Sequence, residues 1–319
     1  MTDSQRDPRP ILVTGAGGFV GSNIVSVLLD AGQRVIATDR AFDPALASQW
    51  NTQGVELIES AVEDLPSLNV DALIHAAAIT AGPQDYQQTP EQNFCANIEP
   101  MLAMMEWGEH NQVRRSLFIS SSAIYRKPPF NRLIDETTPA APLGLYAVAK
   151  QTMEALTETL RESYDRDIAV MRLSNIYGPL EQPRPTRPNI SLVGKMLHEA
   201  LATGIVSVPE AAESRDWTFA PDVGRAALTL LKAPKLTHAL YNVASEQIYT
   251  PLEIAHAIQK CLPHVKIENR EATSLETSVR GSLLNERLHH DVGFSEWTPL
   301  VEGLKHTITA FKAQAERVQ

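Results

Sequence analysis

The chain has 319 residues, 43% of them hydrophobic, and a formal net charge of −10. That length and apolar content suit one large domain or two closely joined ones, and the acidic balance with scattered basic residues argues against a nucleic-acid surface. The cysteines, Cys95 and Cys261, have no C-x-x-C partner, which argues against a disulfide framework or zinc site and suits a reducing compartment.

Residues 1–9 are polar and lack the apolar core of a signal peptide. No apolar run approaches the ~20 residues that span a bilayer. The expectation is a cytoplasmic protein with no membrane partner and a disordered tail over residues 1–9. The first apolar run, Ile11-Leu12-Val13-Thr14, stops at Gly15-Ala16-Gly17-Gly18-Phe19-Val20-Gly21. A helical pattern follows through Ile24, Val25, Val27, Leu28 and Leu29. Strand, tight turn and helix in that order bring backbone N–H groups and a helix N-terminus to one point, where a diphosphate binds. Gly15, Gly18 and Gly21 form G-x-x-G-x-x-G rather than the commoner G-x-G-x-x-G fingerprint. The loop by itself leaves a glycine-rich turn without a ligand open.

Val35-Ile36-Ala37-Thr38 is a second short strand, closed by Asp39. An acid there accepts hydrogen bonds from both ribose hydroxyls of an adenosine and repels a 2′-phosphate, which favours NAD over NADP. Arg40 beside it can stack on the adenine or, against that reading, bind the phosphate; Asp39 itself can be a plain turn or cap residue. Residues 55–58 form a third strand and Asp64 opens a turn. Asp71-Ala72-Leu73-Ile74-His75 is a fourth strand running into Ala76, Ala77 and Ala78. Small residues at a strand's carboxyl end let a flat cofactor lie on the backbone, and they equally suit core packing.

Residues 79–95 are polar and turn-rich. A helix is predicted over 97–111, with Met101, Met104 and Met105 as a core or subunit-interface stripe. Residues 116–119 form a fifth strand ending in Ser120-Ser121-Ser122-Ala123-Ile124-Tyr125. After a proline-rich loop, a long amphipathic helix opens at Leu145 and runs through Glu162. Residues 168–173 form the sixth strand, followed by Ser174-Asn175-Ile176-Tyr177-Gly178-Pro179. Alternating strands and helices imply a parallel doubly wound sheet, with ligands outside the strands' carboxyl ends. At residues 181–189 the composition shifts to proline and arginine. Helices follow near 191–203, 221–233, 251–261 and 300–316, with a strand at 239–243.

Tyr146 and Lys150 lie four residues apart and so share a helix face. A free tyrosine titrates near pH ~10; a lysine one turn away is expected to lower that value, so the phenolate can take a hydroxyl proton while hydride leaves the same carbon. A serine hydroxyl from the end of the fifth strand would hold the reacting oxygen. Y-x-x-x-K alone is a weak signal that also describes an ordinary helix surface. Behind the glycine loop, Asp39 and the serine-ended strand it is strong.

The glycine loop, His75-Ala76-Ala77-Ala78, Ser120 through Tyr125, Tyr146-Ala147-Val148-Ala149-Lys150 and Arg172 through Pro179 together resemble the extended short-chain dehydrogenase/reductases. Within these they resemble the NAD-dependent epimerase/dehydratase branch that includes UDP-glucose 4-epimerase. Arg215-Asp216-Trp217-Thr218-Phe219, Asp222 and Tyr241-Asn242-Val243 extend the likeness along nearly the whole chain. It implies an α/β fold: a Rossmann-type, doubly wound parallel sheet with helices on both faces and a smaller substrate-binding portion. The NAD-binding domain would span 10–180 with returning segments at 217–245, and the substrate portion 181–216 and 246–319.

The resemblance implies Tyr146 as catalytic acid/base, Lys150 as its partner and Ser121 as the active serine. It gives NAD contacts to Gly15, Gly18, Phe19, Val20, Gly21, Asp39, Arg40, Ala76, Ala77, Ala78, Asn97, Tyr146 and Lys150, with backbone groups near Ala61 and Val62 holding the adenine. Thr80, Ser122, Asn175 and Arg215 fall on the substrate side, Arg215 toward a diphosphate. No metal is implied, and a homodimer through the helices near 97–110 and from Tyr146 is. Departures fall where a substrate sits. Arg126 stands where the family has glycine and is expected to line the substrate pocket, and Pro209 through Ser214 replaces a glycine-rich turn. Arg280 is the nearest candidate for a second diphosphate arginine.

The activity implied is sugar modification by Tyr-assisted hydride transfer to and from bound NAD, in first place a nucleotide-sugar epimerase. Dehydration is disfavoured, because Ser121-Ser122-Ala123 replaces the Thr-Asp-Glu such enzymes carry. The alternative is an NAD-dependent dehydrogenase of a free sugar or sugar acid. A non-catalytic NAD-binding sensor stands behind both.

Overall fold

A computed structural model describes residues 9–125, 133–208, 213–269 and 281–318. In chain order the elements are β1 (Ile11–Thr14), α1 (Phe19–Asp30), β2 (Val35–Asp39), α2 (Pro44–Thr52), β3 (Glu56–Glu59), β4 (Ala72–His75), α3 (Pro90–His110), β5 (Arg115–Ser121), α4 (Leu145–Tyr164), β6 (Ile168–Leu173) and β7 (Asn175–Tyr177). There follow α5 (Leu192–Thr203), β8 (Ile205–Val208), β9 (Arg215–Phe219), α6 (Ala220–Lys232), β10 (Leu240–Val243), β11 (Ile248–Tyr249), α7 (Pro251–Cys261), β12 (Lys266–Asn269), α8 (Glu286–Val292) and α9 (Leu300–Val318).

The seven-stranded sheet has the order β10-β6-β5-β4-β1-β2-β3, and every pair in it is parallel. All residues of β1 and β6 are buried, as strands covered on both faces require, whereas the edge strand β3 exposes Glu56 and Glu59. One face packs α1 and α6 through Ile24, Leu28, Val223 and Leu230. Gly224 lets these two helices close up: a Cβ there would stand 2.8 Å from the Val27 Cβ. The other face packs α3 and α4 through Leu73, Met101, Met104, Phe118 and Met153. A further cluster, with Val193, Leu197, Ile254, Ile258 and Leu304, lies among α5, α7 and α9 beside the short sheets β11-β9-β7 and β12-β8.

Several boundaries depart from the sequence reading. α3 begins at Pro90, not near Asn97, because Thr89 caps it in a reciprocal box with Gln92 and proline is tolerated at the first helical position. The methionine stripe is buried in the chain's own core, so it is not a surface for a second copy. Asp64 ends a 3-10 turn over Val62–Asp64 instead of starting one. The short β7, β8, β9, β11 and β12 and helices α2 and α8 were not among the elements expected from the sequence. The tail residues 1–8, Arg126 and Arg280 lie outside the described residues.

Candidate active site

The glycine loop is built by close approach. Gly15 has φ +66°, and a Cβ there would lie 2.4 Å from the Ala77 amide nitrogen; one on Gly21 would lie 2.1 Å from the Gly15 carbonyl oxygen. Neither position admits a side chain. Gly18 caps α1 with no side-chain hydrogen bond, and the first turn carries no acid. Its amides and the positive end of the helix dipole are therefore left for an anion.

Asp39 closes β2 beside this loop. Its Oδ2 accepts from the Gly17 amide at 2.9 Å and its Oδ1 from the Arg40 amide at 2.7 Å. Burial pushes its carboxyl up, and those amides oppose the shift. Asp39, Arg40, Gly15, Gly18, Val62, Ala76, Ala77, Ala78 and Asn97 line one recess, together with Ser60 and Glu63. Ala61 instead caps the 3-10 turn and is not among the lining residues. Asn97 is the eighth residue of α3, and its amide group clamps the Ile79 backbone, Oδ1 accepting at 2.9 Å and Nδ2 donating at 3.1 Å.

The recess opens toward a larger cleft of about 910 Å³ lined by Gly18, Phe19, Val20, Gly21, Thr80, Ser121, Tyr146, Lys150, Asn175 and Arg215. Asp39 at one end, the loop in the middle and Tyr146 at the other fit an extended dinucleotide.

The serines separate by geometry. Ser120 turns its hydroxyl into the core, donating to Glu154 Oε1 at 2.6 Å. Ser121 faces the cleft, its Oγ accepting from the Ala123 amide at 3.2 Å. Ser122 lies beside a separate small cavity with Tyr125, Asn175 and Asp216.

The Lys150 ammonium donates to the Ile119 carbonyl at 2.7 Å and stands 5.6 Å from the centroid of the Tyr146 ring. Burial draws its pKa down to about 8, with Glu154 one turn on opposing. The Tyr146 phenol is pushed up by burial; the groups that pull it back are Ser121, by a hydrogen bond, and the Arg187 charge. The bond to the Ile119 carbonyl holds the Lys150 ammonium beside the Tyr146 ring, where its charge favours the phenolate. His75, on the neighbouring strand, shares a 2.7 Å hydrogen bond with Thr14 Oγ1. Burial, with the Lys150 charge, takes its pKa to about 3, so it is neutral and no base at working pH.

Of the substrate-side residues, Thr80 donates from Oγ1 to the Thr186 carbonyl at 3.2 Å. Asn175 donates to the Asp216 carbonyl at 3.1 Å. Arg215 pairs with Glu213 at 3.6 Å, and both line the cleft. Arg184, Arg187 and Lys195 line it too and were not assigned from sequence. The signal was present, since both arginines lie in the proline–arginine stretch at 181–189, but composition did not show where that stretch folds. Among the described residues no cluster of three or more His, Cys, Asp or Glu could hold a metal ion.

Residues 11–244 match the NAD dependent epimerase/dehydratase family. The chain is 26% identical to UDP-glucuronic acid decarboxylase 4 of Arabidopsis thaliana over 82% of its own length, spanning 60% of that relative. It is 25% identical to UDP-glucose 4-epimerase of Mycolicibacterium smegmatis over 96% of this chain and 99% of the other. In fold it is similar to the UDP-glucose-4-epimerase of Stenotrophomonas maltophila solved with bound NAD and formylated UDP-arabinopyranose. That likeness has a TM-score of 0.82 at 20% identity, over 97% of this chain and 99% of that one.

Proposed function

The chain belongs to the NAD-dependent epimerase/dehydratase family, and from that premise we propose that it is a nucleotide-sugar epimerase that oxidises and re-reduces its substrate on one bound NAD. One observation carries the reading: Ser121, Tyr146 and Lys150 converge on the same cleft as Lys195 and Arg215. The first set moves a proton and the second suits a diphosphate.

NAD is the family's cofactor, and when bound it supplies a hydride acceptor that can return the hydride. The chain's own residues do the rest. The Tyr146 phenolate takes the proton of the substrate hydroxyl, and Ser121 donates a hydrogen bond to the reacting oxygen. Lys150 keeps a positive charge behind the phenolate. When hydride returns to the opposite face of the sugar, Tyr146 gives the proton back. Substrate turning between the two transfers needs room, and about 910 Å³ lies within the range of ligand pockets.

A second reading, a dehydrogenase of a free sugar or sugar acid, is favoured by the Glu213–Arg215 pair, which places an acid where a diphosphate would bind. The two separate when the purified protein is offered a panel of nucleotide-diphosphate sugars and free sugars and the products are read by nuclear magnetic resonance. Interconversion of two nucleotide-sugar epimers supports the first reading; oxidation of a free sugar alone supports the second. Tyr146→Phe should abolish conversion while leaving NAD uptake intact. Unchanged turnover in that variant would reject catalysis by this site.

We further infer an NAD-binding domain over 10–180 with 217–245, a substrate portion from the remaining segments after residue 180, and a homodimer. α3 and α4 expose Leu102 (44%) and Val148 (38%), which suits packing against a second copy; sedimentation as a monomer at micromolar concentration would contradict it. No described helix is long and apolar enough to cross a membrane. The free thiols of Cys95 and Cys261 support a reducing, cytoplasmic location.

A further inference from the structure

The segment between β7 and α5 crosses the cleft. The Thr186 carbonyl accepts from the Thr80 amide at 2.9 Å, the Ala81 amide at 3.3 Å and Thr80 Oγ1 at 3.2 Å. Thr186 lines both the Tyr146 end of the cleft and the Asp39 recess. The crossing therefore lies where the two halves of an extended dinucleotide would join. The segment is stiffened by Pro183, Pro185 and Pro188. It is stiffened again by Arg184 and Arg187, whose backbones exchange hydrogen bonds at 3.1 and 2.9 Å.

Its root is a buried carboxylate. The Glu181 side chain is 0% exposed. Its Oε1 accepts from Arg187 Nη2 at 2.7 Å and from the Ser191 amide at 2.8 Å, and its Oε2 from Ser191 Oγ at 2.7 Å. Held this way, the Arg187 guanidinium lies 4.9 Å above the centroid of Phe19, the first residue of α1. Arg187 Nη1 is buried without a partner, and so is Arg184 Nε. Arg184 lines the cleft, and the charges of Asp39 and Asp43 favour its protonated form. A buried guanidinium N–H with no acceptor is costly, and at a helix N-terminus an anion is what satisfies it.

We propose that residues 181–190 form a strap over the cofactor's diphosphate. Arg184 and Arg187 meet the phosphate oxygens from the solvent side while the α1 amides meet them from the sheet side. Glu181 is the positioning residue for Arg187, and the Thr186 carbonyl clasped to Thr80 and Ala81 holds the strap shut. NAD then leaves only when the clasp opens, which keeps it in place through a cycle that regenerates it. The proposal rests on the reading that NAD lies along the glycine loop.

The test is the release of radiolabelled NAD from loaded protein into excess unlabelled NAD. Arg184→Ala and Arg187→Ala should each release NAD about tenfold faster or more, the size expected for a lost charge-assisted contact. Both are on a partly exposed loop, so they keep the proposal testable if a buried Glu181→Gln chain does not fold. Where Glu181→Gln folds with an unchanged melting temperature, it too should release NAD faster. Salt should speed release from the wild type and leave the Arg184→Ala/Arg187→Ala double variant flat, which a merely structural defect would not produce. Wild-type release rates in both arginine variants would overturn the strap. So would unchanged NAD release with weakened binding of uridine diphosphate, which would give the arginines to the substrate. A wild-type protein that takes up no NAD overturns the reading beneath it as well.

Discussion

The Lys150 ammonium donates to the Ile119 carbonyl at 2.7 Å, so the helix that presents Tyr146 is tied to the strand that presents Ser121. The same bond fixes a buried cation behind the phenol. With a pKa drawn to about 8, that cation is charged at neutral pH and lost as pH rises through about 8. Activity should therefore show an alkaline limb near pH 8. In Lys150→Arg the guanidinium stays charged, and whatever activity remains should lose that limb. A pH profile of kcat/KM decides it: the same limb in both proteins would contradict the assignment.

His75 makes a prediction about stability. Its native pKa is about 3 against 6.5 for the ordinary group. Above pH 6.5 neither state is protonated and the effect is absent. Below 6.5 the unfolded chain takes up a proton that the native chain refuses, so stability falls, by about 1.4 kcal/mol per unit until about pH 3. Between pH 6.5 and 5 the loss is about 2 kcal/mol. Denaturant unfolding of the wild type and His75→Gln at both pH values should show a smaller loss in the variant. Equal losses would remove His75 as the cause.

Behind the site, Arg172 Nη2 meets Glu154 Oε2 at 2.6 Å and its Nη1 donates to the Tyr125 hydroxyl at 2.6 Å. Both side chains of the ion pair are buried, 3% and 10% exposed. Arg172→Met strands the Glu154 charge and should cost about 3–5 kcal/mol, whereas replacing both partners by apolar residues should cost clearly less. Urea unfolding measures both. A single variant no less stable than the double one would contradict the coupling.

Asp39 offers a test of cofactor choice. Its carboxylate stands at the ribose end of the recess, held by the amides of Gly17 and Arg40. NAD should bind much more tightly than NADP, and Asp39→Ser should narrow the gap by about tenfold or more, as loss of like-charge repulsion and of ribose acceptors requires. Titration calorimetry with both cofactors checks this. Equal affinities in the wild type would refute it.

Much of the sheet is legible in the sequence because buried parallel strands are continuous apolar runs: Ile168–Leu173 reads the same in the sequence and in the structure. Pro251–Cys261 is equally plain, since Thr250 and Glu253 write its cap into the sequence. Pro90 is not, because a proline reads as punctuation until its neighbour Thr89 is seen to cap a helix. Gly15, Gly21, Tyr146 and Lys150 are local motifs and could be picked out by spacing. Arg184 and Arg187 could not, because their place in the cleft is set by how a loop folds back over elements more than a hundred residues earlier. Spacing put Lys150 beside Tyr146, but not the Ile119 carbonyl that holds its ammonium, because that carbonyl comes from a strand more than thirty residues earlier.

In the proposed epimerase the cofactor is reduced and reoxidised within one cycle. This is tested most directly by counting NADH formed against nucleotide sugar converted, in the presence of excess free NAD, for a substrate that the protein turns over. Many conversions per protein with no accumulation of NADH are expected. One NADH released for each substrate consumed would contradict it and make the protein a net dehydrogenase.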